Sequence, residues 1–195
     1  ARDTGDLESQ SFALWLQFGV AYFLGSLSEV KEVHSELQKV LRRADSAHRA
    51  AWVDVFQVLI QIIDPQSKPQ VEVIERAIPM MIEAHDEIGH TLALALQSLG
   101  FLKIGETGQA RAAARGTLAR IRNSPILTHG LLESFAAPAE VFLKLWALGD
   151  DSKENRADVK QALSALSRFS ATFPLGTPRL YLLRGWLANL EGRGA

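Results

Sequence analysis

The chain has 195 residues, 47% of them hydrophobic and 22% charged, with a net charge of −1 and an isoelectric point near 6.6. This is the composition of an ordinary globular chain long enough to bury a continuous core, without the basic excess that suits a polyanionic partner. The absence of cysteine excludes disulfides, thiolate nucleophiles and cysteine-based metal sites, and fits a reducing compartment such as the cytoplasm.

The first residue is Ala1 rather than Met, so the chain reads as a fragment or a processed product. Its first apolar stretch, Phe12 to Leu27, follows an acidic opening and contains Gln17. A signal peptide needs a basic leader and a spanning helix needs about 20 apolar residues, so the stretch reads as a buried helix and no membrane partner is expected. Trp15, Phe18, Gly19 and Tyr22 share a face of that helix, which ends near Gly25. The second helix carries Leu27, Val30, Val33, Leu37, Val40 and Leu41 at a 3.6-residue period and closes on Arg42-Arg43, favourable at a helix C-terminus. Ser46 is placed to cap a third helix bearing Trp52, Val55, Phe56, Leu59 and Ile63, which Asp64-Pro65 and Lys68-Pro69 stop. The fourth carries Val71, Ile74, Ile78, Met81 and Ile82, with Pro79 expected to bend it.

Ile88, Leu92, Leu96, Leu99 and Leu102 mark the fifth helix, which turns at Gly105 and Gly108 into an alanine-rich sixth. Small residues there allow two helix backbones to approach closely. Ser124-Pro125 opens the next segment, and Pro138 predicts a kinked or split helix before Phe142, Trp146 and Leu148. Gly149-Asp150-Asp151 is a turn, followed by a helix with Val159, Leu163, Leu166 and Phe169. Thr177-Pro178 reads as an N-cap followed by Pro at the first helical position, opening a last helix with Leu180, Leu183, Leu187 and Leu190. No period-2 run or hairpin turn signal is present, so no strand is expected.

The first helices of successive pairs align on Trp15, Trp52, Leu96, Ala139 and Tyr181, spaced 37 to 44 residues apart. Three and four residues on come Phe18-Gly19, Val55-Phe56, Leu99-Gly100, Phe142-Leu143 and Arg184-Gly185. The pattern resembles the tetratricopeptide W-x2-L-G-x2-Y, most closely at Trp15-Phe18-Gly19-Tyr22, with Ala112 and Ala119 at small-residue positions of the answering helix. The period exceeds that family's 34 residues, so tetratricopeptide-like is the fitting description.

A second resemblance lies in FPLGTPRLYLLRGWLANLEGRGA, Phe173 to Ala195. It is similar to a segment, FPIGRPR…LWRGL…WL-x-GR-x-A, of helical-repeat regions C-terminal to AAA- or STAND-type ATPase modules. These occur in large bacterial signalling proteins, often with cyclase or kinase domains. The matching residues are Phe173, Pro174, Gly176, Pro178, Arg179, Arg184, Gly185, Trp186, Leu187, Gly192, Arg193 and Ala195; Thr177 departs where a basic residue is usual. The resemblance implies an interaction or sensor arm of a larger protein.

Catalytic chemistry finds little support. His85 and His90 bracket the acids of HDEIGH, but helical positions i and i+5 lie about 140° apart, so the imidazoles diverge. GETG at 105–108 lacks the Gly-Lys-Ser/Thr of a phosphate loop, and Asp150-Asp151 reads as a turn. No catalytic, cofactor or metal residue is therefore assigned, and the chain is not expected to be an enzyme. Arg111, Arg115 and Arg122 share a helix face with Leu118 but lack interleaved aromatics, so no nucleic acid is expected. The four tryptophans read as core.

The expectation is one all-α domain over 1–195, a right-handed solenoid of antiparallel helical hairpins with about nine helices, truncated at its C-terminal end. Its expected function is non-catalytic binding of a protein or peptide, including other domains of the parent chain; the alternative is an allosteric small-molecule sensor. In tetratricopeptide geometry the groove falls to Leu16, Val20, Val53, Gln57, Gln97, Phe101, Glu140, Lys144, Leu182 and Trp186, apolar at both ends and polar between. Leu183, Leu187 and Leu190 are left without a covering helix. That predicts relief by a homodimer through the C-terminal helix or by the N-terminus folding over the gap.

Overall fold

The structure, a computed structural model, describes residues 7–41, 43, 46–122 and 124–192. Among these the all-α expectation holds, with nine helices and no strand. The helices are α1 (Leu7–Phe23), α2 (Leu27–Leu41), α3 (Ala47–Ile63), α4 (Val71–Glu83), α5 (Glu87–Lys103), α6 (Thr107–Ile121), α7 (Leu132–Ala147), α8 (Lys153–Thr172) and α9 (Thr177–Leu190). Arg42 of the basic pair and Arg193 and Ala195 of the C-terminal motif lie outside the described residues. The chain divides into two compact units, Ala1–His90 and Thr91–Ala195.

In the first unit α1 packs on α2, α2 on α3 and α3 on α4. Phe18 of α1 stacks on Phe56 of α3 with ring centroids 4.5 Å apart, and Val30, Val55, Ile74 and Met81 are fully buried. Ser46 caps α3 as expected, its hydroxyl accepting the Arg49 N–H at 3.4 Å. Asp64 ends the same helix. Its carboxylate accepts Lys31 Nζ at 2.7 Å, the Gln66 N–H at 2.9 Å and the Ser67 hydroxyl at 2.9 Å. Lys31 above all, then these donors, hold its pKa down to about 2. Pro79 sits inside α4 without ending it. Glu75, whose carbonyl loses its N–H partner, lies on the exposed side of α4, where solvent can reach the carbonyl.

In the second unit α6 packs on α7 and α8, α7 on α8, and α9 on both α7 and α8. Every residue from Leu131 to Ala139 is buried, which marks α7 as the central helix. Of the kink or split expected at Pro138, the split does not occur; Pro138 lies within one unbroken helix. Proline there costs about 3 kcal/mol, and Phe135, Phe142 and Leu143, all fully buried, each return roughly 1.5–3 kcal/mol. Ser124-Pro125 opens the segment as expected, but without starting a helix. Residues 124–128 are irregular, and the chain enters α7 through a 3-10 turn at His129–Leu131, where the Thr128 hydroxyl accepts the Gly130 N–H at 3.3 Å.

Four other local expectations are corrected. Gly108 lies in the first turn of α6, and Gly105, with φ +89°, makes the turn by itself. On α6 the small residues that are buried are Ala110 and Ala114, in line with Thr117, Leu118 and Ile121, whereas Ala112 and Ala119 are exposed. Thr177 is no N-cap: a 3-10 turn at Pro174–Gly176 runs into α9, Thr177 already has helical angles, and the cap position falls to Gly176 with no side-chain bond. On α9, Leu180 and Leu183 are buried in the unit's own core and Leu187 and Leu190 are half-buried, so Leu183 does not await a further helix. Its open apolar side chains are Tyr181 and Leu182.

The α7–α8 turn depends on a residue without a sequence signal. Gly149, at φ +106°, reverses the chain, and the Ser152 hydroxyl caps α8 by accepting the Asn155 N–H at 3.2 Å. Asn155 is fully buried, its Nδ2 donating to the carbonyls of Phe142 at 3.0 Å and Asp150 at 2.9 Å. Asn155→Ala removes two buried side-chain hydrogen bonds and is expected to destabilise the protein by about 2–3 kcal/mol in urea denaturation. Thr177→Ala, by contrast, removes no cap. It is expected to shift the same midpoint by less than about 0.5 kcal/mol.

Candidate functional site

The expected groove residues differ widely in access. In the first unit Leu16 and Val20 of α1 are open and Gln57 of α3 is half-buried. Val53 is only 8% exposed, and its carbonyl accepts Nε2 of the buried His34 at 3.0 Å. In the second unit Phe101 is 9% exposed and Gln97 half-buried, Lys144 and Leu182 are open, and Trp186 is half-buried. Glu140 is not turned to an open groove: Arg179 of α9 holds it.

The groove residues on α1 belong to a longer feature. Phe12, Leu16, Val20 and Leu24 recur every four residues and are 61%, 41%, 59% and 74% exposed, with Phe23 open beside them. Exposed apolar side chains are normal singly; here four recur on one line of the surface. At Phe12 the row meets a recess of about 320 Å³ lined by Trp15, Leu37, Leu41, Trp52 and Phe56, with Ser11 and Arg49 at its polar edge. Phe12 stacks with Trp15 at 6.1 Å between centroids, and Trp52 lies 5.4 Å from Phe56. Arg49 is tied at 2.6 Å to Glu8, itself largely in water. Such a surface pair adds little stability and exchanges easily.

Asp86 fixes one wall of that recess. Its carboxylate accepts Trp52 Nε1 at 2.8 Å and His48 Nε2 at 2.7 Å, and its other oxygen takes the Gly89 N–H at 2.8 Å, closing the first turn of α5. Burial pushes its carboxyl up, but the donors outweigh it and the pKa is lowered. The preceding His85 has φ +53° and makes the tight turn. The HDEIGH stretch is thus a helix junction, and no three His, Asp or Glu among the described residues gather to hold a metal ion.

In the second unit the C-terminal motif residues form a joint. Phe173 packs on Phe169 at 5.5 Å, and Phe169 on Phe135 at 5.2 Å. A side chain on Gly176 would lie 2.8 Å from the Phe169 ring and 2.9 Å from the Ser170 hydroxyl, so only glycine fits. Arg179 then reaches α7, bonding Glu140 and lying 4.0 Å from the buried Glu133. Gly185 has no such constraint; nor has Gly19, and a methyl on either would meet nothing within 4 Å.

The arginines on α6 are engaged with the following hairpin. Arg111 bonds Asp150 and approaches Asn155 Oδ1 at 3.4 Å; Arg115 holds Asp158 at 2.7 Å and Glu154 at 2.8 Å. Sequence reasoning missed Glu133, Asn155 and Asp158, because polar residues on helices carry no periodic signal of their partners.

No family model matches the chain, and neither a curated protein nor a solved structure matches it.

Burial raises the Glu140 carboxyl above its ordinary 4.5; Arg179 opposes the shift and Glu133 adds to it. The folded state therefore binds this proton more tightly than the unfolded chain. Its stability is expected to fall as pH rises from 4.5 through the raised value. Glu140→Gln is expected to flatten that slope in urea denaturation series run from mildly acid to neutral pH. An unchanged slope means that another group is responsible.

Proposed function

We propose that the chain is a tetratricopeptide-like helical-repeat arm that binds a protein or peptide segment without catalysing a reaction. The observation that carries this reading is the exposed row of Phe12, Leu16 and Val20 on α1 and Leu24 just past its end, opening at Phe12 into the aromatic recess. A partner helix laid along the row would cover apolar residues at i, i+4 and i+8, with one larger side chain anchored between Trp15 and Trp52. The packing of α9 against both helices of the α7–α8 hairpin supports the repeat reading, because stacked hairpins contact their neighbours in that way. The residues similar to those of AAA- or STAND-associated repeat regions support an arm of a larger signalling ATPase. The natural partner in that case is another domain of the same parent.

A recess of about 320 Å³ also falls within the size range of small-ligand pockets, which is the basis of a sensor reading. The continuous apolar row beyond it favours a chain segment, since a small effector would leave Leu16, Val20 and Leu24 wet.

The double variant Leu16→Asp/Val20→Asp tests the reading. Both side chains face water, so its melting temperature is expected to match the parent's. Binding to the upstream domains of the parent protein, or self-association in sedimentation, is expected to weaken at least 100-fold, on the order of 3 kcal/mol. Unchanged affinity at unchanged stability excludes the α1 row as the binding face.

A further inference from the structure

The second unit carries an open basic cleft between α6 and α8, about 640 Å³ in volume. Four cations line it: Arg115 of α6 and Arg122 at its C-cap, and Lys160 and Arg168 of α8. The helical spacing explains their convergence, since 115, 118, 119 and 122 share one face of α6 and 160, 161, 164 and 168 share one face of α8. Against a whole-chain charge of −1, this is a local concentration of positive potential.

The four cations are used unequally. Arg115 is held by Asp158 at 2.7 Å and Glu154 at 2.8 Å. Arg168 donates one Nη2–H to the Ile121 carbonyl at 2.8 Å, which anchors its guanidinium over the end of α6 and leaves its other donors. Arg122 and Lys160 are exposed, and among the described residues neither has an ion-pair partner. Between the two rows the floor is apolar, formed by Leu118, Ala119 and Ala165.

We propose that this cleft binds an acidic amphipathic protein segment, whose carboxylates pair with Arg122, Lys160 and Arg168 while an apolar side chain rests on Leu118 and Ala119. The proposal rests on the protein-binding reading but uses a surface separate from the α1 row. The lining favours a peptide over nucleic acid: no aromatic side chain is present to stack a base, and Asp158 at the Arg115 end repels a continuous phosphate backbone. It favours a segment over a single small anion because the cleft is an open trough with an apolar floor, and its free cations lie on two helices.

Fluorescence anisotropy on the intact chain tests this. The probe is a labelled peptide of about 15 residues, enough for a marginal helix, with Glu and Leu on opposite faces; the control has every Glu replaced by Gln. The acidic peptide is expected to bind and to weaken steeply with salt, while the Gln peptide binds at least tenfold more weakly. Arg122→Glu/Lys160→Glu, both at exposed positions, is expected to melt like the parent and lose at least tenfold in affinity. Leu16→Asp/Val20→Asp is expected to bind the acidic peptide normally. Equal affinity of parent and charge-reversed variant, or no binding to the parent, overturns the proposal. Preferential binding of an oligothymidylate to the same residues, or displacement of the peptide by millimolar inorganic phosphate, overturns the choice of ligand. Failure here with row-dependent binding on α1 intact removes the cleft alone; loss of both removes the protein-binding reading.

Discussion

The last helix is placed by a steric constraint at one atom. Gly176 sits against the Phe169 ring and the Ser170 hydroxyl so closely that a β-carbon would lie within 3 Å of each. Because the backbone can approach there, the 3-10 turn Pro174–Gly176 folds down on α8 and α9 starts at a fixed point. Phe173 closes the turn on Phe169, which in turn touches Phe135 of α7. Arg179, three residues after Gly176, is then within reach of Glu140 and Glu133. A short motif thus joins three helices, and its aromatic, glycine and arginine positions each serve a different contact.

The arginine's contribution is specificity more than net stability. Bringing one guanidinium and two carboxylates into a partly dry site costs several kcal/mol per ion, and mutual attraction returns roughly that amount. The raised proton affinity of Glu140 shows that the balance is close, since burial outweighs the adjacent cation there. Leu180 and Leu183 supply the favourable burial of α9. Arg179 selects the rotation at which they face inward, because any other rotation strands Glu140 without a partner.

Helix positions were legible in the sequence because apolar periodicity and stop residues report on the chain itself. The Ser46 cap, the stop at Asp64-Pro65 and the turns at Gly105 and Gly149 were read from local chemistry that tertiary structure left alone. The misreadings arose where a neighbour decides. Pro138 breaks an isolated helix but not one buried on every side. Thr177-Pro178 has the form of a cap, yet the close approach at Gly176 moves the start of helical structure upstream. For the candidate site, Leu16 and Val20 are exposed, whereas Phe101, Val53 and Glu140 carry the same repeat spacing and are covered or paired. Spacing identifies a helix face; what packs on that face decides whether it is a surface.

The same distinction separates the charges that hold the fold from those that remain available. Asp64 is saturated by an ammonium, a backbone N–H and a hydroxyl, and Asp86 by an indole, an imidazole and a backbone N–H. Arg111 and Arg115 are bound to the α7–α8 turn and to α8, so their positive charge is largely neutralised where it stands. One helical turn beyond Arg115 the pattern changes, since α8 offers Lys160, Ser164 and Arg168 to α6 instead of acids. Stability alone would favour carboxylates opposite Arg122, as it has opposite Arg115. Like charges lining one open trough repel, and more strongly where the apolar floor excludes water. The acidic segment proposed for the cleft would turn that repulsion into attraction, drawing its binding energy from a contact that the isolated fold leaves unfavourable.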